Sequence, residues 1–252
     1  MLNRTSQLVG SSVTASDGAI GHVRAAFFDD QAWAIRYIVV DTGDWLRGRE
    51  VLISPYAVRQ PVGSGKNIDV ALTRDQVQNS PDVDTHQPVS RAHERTTLAY
   101  YGYPDYWEGS ALWAMGGYPL VPSDAEMTAH RSQPRVQASA EDSHLRSCVK
   151  VTGYDIRATD DSIGHVHDFV FDDESWVIRY LVVDTRNWWP GGRKVLVAKH
   201  WIEHIDWDTQ TVQVNLTRHE VKNSPEHDEA GLIERADEER LHQAYGRPGY
   251  WD

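Results

Sequence analysis

Residues 18–42 read GAIGHVRAAFFDDQAWAIRYIVVDT, and residues 161–185 read DSIGHVHDFVFDDESWVIRYLVVDT. Gly18 aligns with Asp161, a shift of 143, and that register holds to the end of both stretches. Farther along, Ile68-Asp-Val-Ala-Leu-Thr-Arg74 aligns with Val212-Gln-Val-Asn-Leu-Thr-Arg218 at a shift of 144. Asn79-Ser80-Pro81 then matches Asn223-Ser224-Pro225, and Tyr101-Gly-Tyr-Pro-Asp-Tyr-Trp107 matches Tyr245-Gly-Arg-Pro-Gly-Tyr-Trp251. Long matches in one order and nearly one register identify a duplication. The expected organisation is one module over 1–108, a linker over 109–147 and a second module over 148–252.

Each copy reads as short strands followed by helices. Ile163–Phe171 is rich in strand formers and Asp172-Asp173-Glu174-Ser175 breaks it as a turn. Trp176–Thr185 reads as a second, strongly β-branched strand. Asp29-Asp30-Gln31-Ala32 marks the same turn in the first copy. Arg193–Ala198 is a third strand, after a loop with Trp188-Trp189-Pro190, and Trp201–Trp207 with Thr211–Leu216 form a further hairpin. Val212, Val214 and Leu216 alternate with polar residues, the period of a half-buried strand. Thr73-Arg-Asp-Gln76 and Thr217-Arg-His-Glu220 fit the capping box of a helix start, and the proline of each Asn-Ser-Pro ends that helix. A second helix is expected over 229–245, before the aromatic tail. So many short strands bury one face by curling a single twisted sheet, so the predicted class is mainly β with short helices, two small β-barrels in tandem.

Composition narrows the function. With 37 acidic and 25 basic residues the net charge is −12 and the basic residues are interspersed with acids, which argues against nucleic acid and anionic membranes as partners. Cys148 is the only cysteine, so intrachain disulfides and thiolate metal clusters are excluded. The first ten residues hold no signal-peptide-like apolar run and nothing approaches a membrane span, so a cytoplasmic protein is expected. The linker carries Gly116-Gly117, Pro119, Pro122 and Pro134; its first half, with Leu112, Trp113, Met115, Tyr118, Leu120 and Val121, is apolar enough to pack on a barrel.

The order Gly-x-x-Ile-Gly-His-Val, Asp-Asp, then Trp-x-Ile-Arg-Tyr-hydrophobic-Val-Val-Asp-Thr resembles the PRC-barrel family, named for the cytoplasmic domain of the photosynthetic reaction centre H subunit. Related barrels occur in a ribosome maturation factor, and the Tyr-Gly-x-Pro-x-Tyr-Trp tails look like those of a bacterial subgroup with one or two such barrels. The resemblance implies a small barrel that acts as an adaptor or assembly module, without catalysis or cofactor. This chain lacks the membrane helix of the reaction-centre subunit and the preceding domain of the ribosome factor, so neither specific task carries over.

The residues shared by both copies form a structural signature: Gly21, His22, Asp29, Trp33, Arg36 and Asp41, repeated as Gly164, His165, Asp172, Trp176, Arg179 and Asp184. Paired aspartates suit acid–base work or Ca²⁺, but here they sit where a turn wants Asp. Gly21 and Gly164 mark a bulge or close backbone approach. Arg36 and Asp41 point to opposite faces of one strand, so each is expected to bond a neighbouring strand or turn, as are Arg179 and Asp184. His200-Trp-Ile-Glu-His204 has the pattern of a zinc peptidase, which needs a helix; beside a strand its ligands do not converge, and the first copy has Tyr56 and Gln60 there. Gly63-Ser-Gly-Lys66 lacks the upstream glycine of a phosphate loop, with Gln60 in its place, and Asn67 replaces the hydroxyl residue.

The aromatic arms are the most informative feature outside the barrels. Tyr101, Tyr106 and Trp107, with Tyr245, Tyr250 and Trp251, are candidate interaction residues, since such side chains are enriched where surfaces dock. They dock on their own barrel, on the sister barrel or on a second chain. The favoured function is a non-catalytic assembly module with a protein partner or self-association. The alternatives are an enzyme or small-ligand or metal-binding protein with a site between the barrels, using His165, Asp172 or His200, and a ribosome-associated factor binding a basic ribosomal protein.

Overall fold

The computed structural model describes residues 1–60, 66–83, 89–108, 111–114, 116–121, 123, 144–186, 188, 191–229 and 231–251. The glycine-rich segment 63–65, most of the predicted linker and Trp189-Pro190 lie outside the described residues. In chain order the elements are β1 (Leu2–Arg4), α1 (Thr5–Leu8), β2 (Ser12–Ala15), β3 (Gly18–Asp29), β4 (Ala34–Asp41), β5 (Glu50–Ile53), β6 (Asn67–Asp69), α2 (Arg74–Gln78) and α3 (Arg91–Tyr101). They continue with β7 (Leu145–Ser147), α4 (Cys148–Val151), β8 (Asp155–Arg157), β9 (Ser162–Asp172), β10 (Ile178–Asp184), β11 (Lys194–Ala198), β12 (Ile202–Asp206), β13 (Thr211–Val214), α5 (Arg218–Asn223) and α6 (Arg235–Tyr245). The chain is mainly β with a few short helices, and no helix among the described residues is long and apolar enough to cross a membrane.

Two compact units result. The first comprises Gln7–Ser147 with Asp173–Val177, the second Met1–Ser6, Cys148–Asp172 and Ile178–Asp252. These units depart from the division read in the sequence at three places. The leading strand β1 pairs with β9 and so belongs to the second unit. The turn 173–177 belongs to the first unit, where Ile35 N donates to Trp176 O at 2.8 Å. Much of the predicted linker's described part is bound into the first unit: Trp113 is 2% exposed and its indole donates to Ser175 O at 2.9 Å.

In the first unit the sheet runs β5-β4-β3-β2-β6, with β7 also on β3; in the second it runs β11-β10-β9-β8-β13-β12, with β1 also on β9. The pairs β2–β6 and β8–β13 are parallel and the rest antiparallel. The long strands β3 and β9 each serve two partners along one edge. Residues 18–22 of β3 pair with β2 and 27–29 with β7. Each sheet is an open path, which corrects the expected closed barrel. In the second unit the edge strands β11 and β12 are joined by a 3₁₀ turn, Lys199–Trp201, and do not hydrogen-bond as a ladder. In the first unit, among the described residues, an isolated Val58–Val70 bridge stands where β12 lies in the second.

Sequence explains most of these elements. Strand β4 is buried on both faces from Ala34 to Val40, its apolar run interrupted by Arg36, which is buried in its pair with Asp29. Thr73 and Thr217 form the expected capping boxes with Gln76 and Glu220. Helix α6 begins later than predicted, capped by Glu234 and Asp237, because Pro225 and Gly231 hold the preceding segment in a loop. Trp33 and Trp176 are also displaced from their predicted roles. Both adopt left-handed backbone (φ 57° and 59°), Trp33 in the turn closing the hairpin and Trp176 at its end, so the second strand begins after each.

Candidate functional site

One aspartate and one arginine of the signature meet a tyrosine of the arm in each unit: Asp29, Arg36 and Tyr106 in the first, Asp172, Arg179 and Tyr250 in the second. This constellation starts at the hairpin turn, where Asp29 accepts hydrogen bonds from Gln31 N at 2.9 Å and Ala32 N at 3.3 Å. Asp29 also pairs with Arg36 on β4 at 3.4 Å, and Asp172 with Arg179 on β10 at 3.2 Å. Each arginine therefore bonds the neighbouring strand.

The guanidinium also faces the arm. Arg36 Cζ lies 3.9 Å from the centroid of the Tyr106 ring, and Arg179 Cζ lies 4.2 Å from that of Tyr250. The arms reach these positions because Gly102 and Gly246, in left-handed conformation (φ 74° and 61°), end α3 and α6 and turn the chain back.

A buried glutamate completes each constellation. Glu94 on α3 is fully buried and accepts from Tyr106 OH at 2.5 Å; Glu238 on α6 is 3% exposed and accepts from Tyr180 OH at 2.8 Å. Tyr37, the counterpart of Tyr180, is buried beside Glu94 without a well-formed hydrogen bond of its own. Arg91 and Arg235 stand 3.7 and 3.2 Å from their glutamates, one helical turn away. His144 Nε2 contacts Tyr106 OH and Glu94 Oε1, both at 3.1 Å. In the second unit His242 Nε2 contacts Tyr180 OH at 3.1 Å while its Nδ1 contacts Pro248 O at 2.8 Å.

Burial, reinforced by the glutamate, pushes Tyr37, Tyr106 and Tyr180 far above the usual phenol range and Tyr250 up to about 12. These hydroxyls therefore stay protonated, and Tyr106 and Tyr180 donate to the carboxylates. Sequence reading missed Glu94 and Glu238. The signal was present: Arg91-Ala-His-Glu94 and Arg235-Ala-Asp-Glu238 repeat at the same shift of 144 as the arms.

The remaining candidates are dispersed. A Cβ at Gly21 would lie 2.0 Å from Asp41 O, and one at Gly164 2.3 Å from Asp184 O, so both positions exclude a side chain. His22 is exposed opposite Asp41, and His165 half-buried opposite Asp184. Asp41 caps Gly43 N at 2.8 Å, whereas Asp184 binds Arg186, whose hydrogen bond holds its carboxyl down to about 2. Tyr245 is buried against Trp201 at 4.6 Å, and Tyr101 stacks on Tyr103 at 5.9 Å. Trp107 and Trp251 are half-buried, edge-on to Tyr106 at 4.7 Å and Tyr250 at 4.9 Å. His200 stacks on His242 at 5.7 Å while His204 lies exposed on β12, so the two histidines of the peptidase-like pattern are apart.

Two cavities are formed by other residues. One of 380 Å³ in the first unit is lined by Pro55, Val58, Arg59, Tyr118 and Leu120 among others; one of 270 Å³ in the second is lined by Leu196, His227, Ile233 and Leu241 among others. Neither reaches the glutamates. What the constellation does chemically is fasten helix and arm to the sheet.

Residues 146–220, in the second copy, match the PRC-barrel domain family. A protein of Deinococcus radiodurans, described only as uncharacterized, is 35% identical over 97 residues, covering 35% of this chain and 33% of the relative. The chain thus spans about a third of the length of that relative.

Proposed function

We propose that the protein is a non-catalytic interaction or assembly module made of two PRC-type repeats, engaging a protein partner or a second copy of itself. The observation that carries this reading recurs in both copies, although the arm's Tyr106 bonds the glutamate in the first and Tyr180 of β10 does so in the second. A buried tyrosine–glutamate–arginine cluster fixes the arm from behind and leaves Trp107 and Trp251 half-exposed on the outside. A pre-positioned aromatic loses little conformational freedom on docking, so such a surface favours binding. Tyr118, Leu120 and Val121, at 51, 74 and 53% exposure, add apolar surface to the first unit. The PRC-barrel match of the second copy fits an interaction fold, and the first copy's matching sheet order supports the tandem reading.

Light scattering and affinity capture of the wild type, Trp107→Ala and Trp251→Ala test this function. Loss of self-association or of one captured partner, with circular dichroism unchanged, is expected. Association equal in all three, or none in the wild type, refutes it.

A further inference from the structure

The leading segments of the two repeats are related by the same shift of 143, Leu2 aligning with Leu145 and Gly10 with Gly153. Their pairing is reciprocal. Leu2, Asn3 and Arg4 pair with Asp172, Phe171 and Val170, while Leu145, Arg146 and Ser147 pair with Asp29, Phe28 and Phe27. Each repeat's long strand therefore takes its neighbour from the other repeat's leading segment, at the equivalent register.

The second unit's edge is shaped for its occupant. Strand β1 lies between β9 and Ile233, which bridges Leu2 on the far side. Asn3 is 4% exposed and Thr5 5%. Asp168 accepts from Thr5 Oγ1 at 2.7 Å and Ser6 N at 3.1 Å, and Glu229 pairs with Arg4 at 3.4 Å. The first unit holds its strand differently, through Arg146 on Asp30 at 2.8 Å and His144 on Glu94 at 3.1 Å. The two leading strands carry different keys, so they are not interchangeable.

We propose that the β9 edge at Val170–Asp172, flanked by Asp168 and Glu229, is a strand-accepting site, and that the same segment, Leu2–Ser6, of a second copy of this chain occupies it in trans. The inference rests on the assembly reading and adds to the arms a second site, with a second copy of the chain as its partner. Addition of a strand to a sheet edge supplies backbone hydrogen bonds, with side-chain pockets giving specificity. Within one chain the tether favours the cis strand, so exchange in trans rises with protein concentration.

Full-length chains test the site with Cys148→Thr as background, which installs the residue found at the equivalent first-repeat position, Thr5. Leu2 and Asp172 are cross-strand partners, within the reach of a disulfide. Chains carrying Leu2→Cys are mixed with chains carrying Asp172→Cys at rising concentration and oxidised. A control mix pairs Leu2→Cys with Ser16→Cys chains. The site predicts a disulfide-linked heterodimer at least about threefold above the control, increasing with concentration and suppressed by Thr5→Ala in the donor chain.

A single chain carrying both cysteines is the folding check, and it forms an internal cross-link. Heterodimer at the control level, or no internal cross-link, overturns the proposal. Association seen by light scattering without the cross-link overturns it while leaving the assembly reading intact.

Discussion

Replacing Tyr106 with phenylalanine removes one oxygen from a ring that is 2% exposed. That hydroxyl donates to Glu94 at 2.5 Å and meets His144 at 3.1 Å. A hydrogen bond to a charged group contributes about 1.5–3 kcal/mol, and the carboxylate stays buried with fewer donors, so Tyr106→Phe costs about 2–3 kcal/mol. Tyr250→Phe, at the same place in the second copy, is half-buried, so water replaces the lost hydroxyl and the cost is about 0.5–1 kcal/mol. Urea titrations followed by tryptophan fluorescence measure both, fitted as separate transitions if the two units melt apart. A Tyr106→Phe cost under about 0.5 kcal/mol, or equal costs for the two, refutes the view that the buried cluster anchors the arm.

Other outcomes follow from the same contacts. Gly21→Ala and Gly164→Ala drive a Cβ into a carbonyl oxygen and are expected to cost over about 3 kcal/mol, whereas Gly10→Ala, with φ 83° but open space, costs about 1 kcal/mol; thermal melts rank them. Asp184, held down to about 2 by Arg186, contributes stability that is fully present above about pH 4 and is lost as pH falls toward 2. Arg186 is largely exposed and screened by solvent, so Arg186→Ala is expected to change stability little at neutral pH and to flatten the acid limb of a stability–pH curve. The tyrosines give the opposite sign. Tyr37, Tyr106 and Tyr180 are raised, so their contribution is complete below pH 10 and disappears above it; tyrosinate absorbance for them is expected to appear together with unfolding, not before it.

The repeated 25-residue stretches made the hairpins, the turn aspartates and the two glycines legible, because each feature is local and written twice. The capping boxes were legible for the same reason. The units' composition was not. Pairing of Leu2–Arg4 with β9 links residues about 170 apart, and no local propensity encodes such a pairing. The turn position of Trp33 and Trp176 was hidden because their aromatic, strand-favouring side chains outvote the left-handed backbone the hairpin needs. Glu94 and Glu238 were hidden because an Arg-x-x-Glu spacing on a helix reads first as a surface ion pair, while the arm closing over it buries the carboxylate.

The central claim is that the arms are fastened to their own sheets by the repeated signature residues. Hydrogen–deuterium exchange of the free protein, read on peptides covering residues 102–114 and 246–251, examines this directly. Tyr103 N is hydrogen-bonded to Leu98 O, Ala114 N to Tyr106 O and Arg247 N to His242 O. Slow exchange in both peptides, accelerated by Glu94→Gln in the first and Glu238→Gln in the second, is the predicted result. Exchange at the rate of an unstructured chain in the unmodified protein would contradict the account.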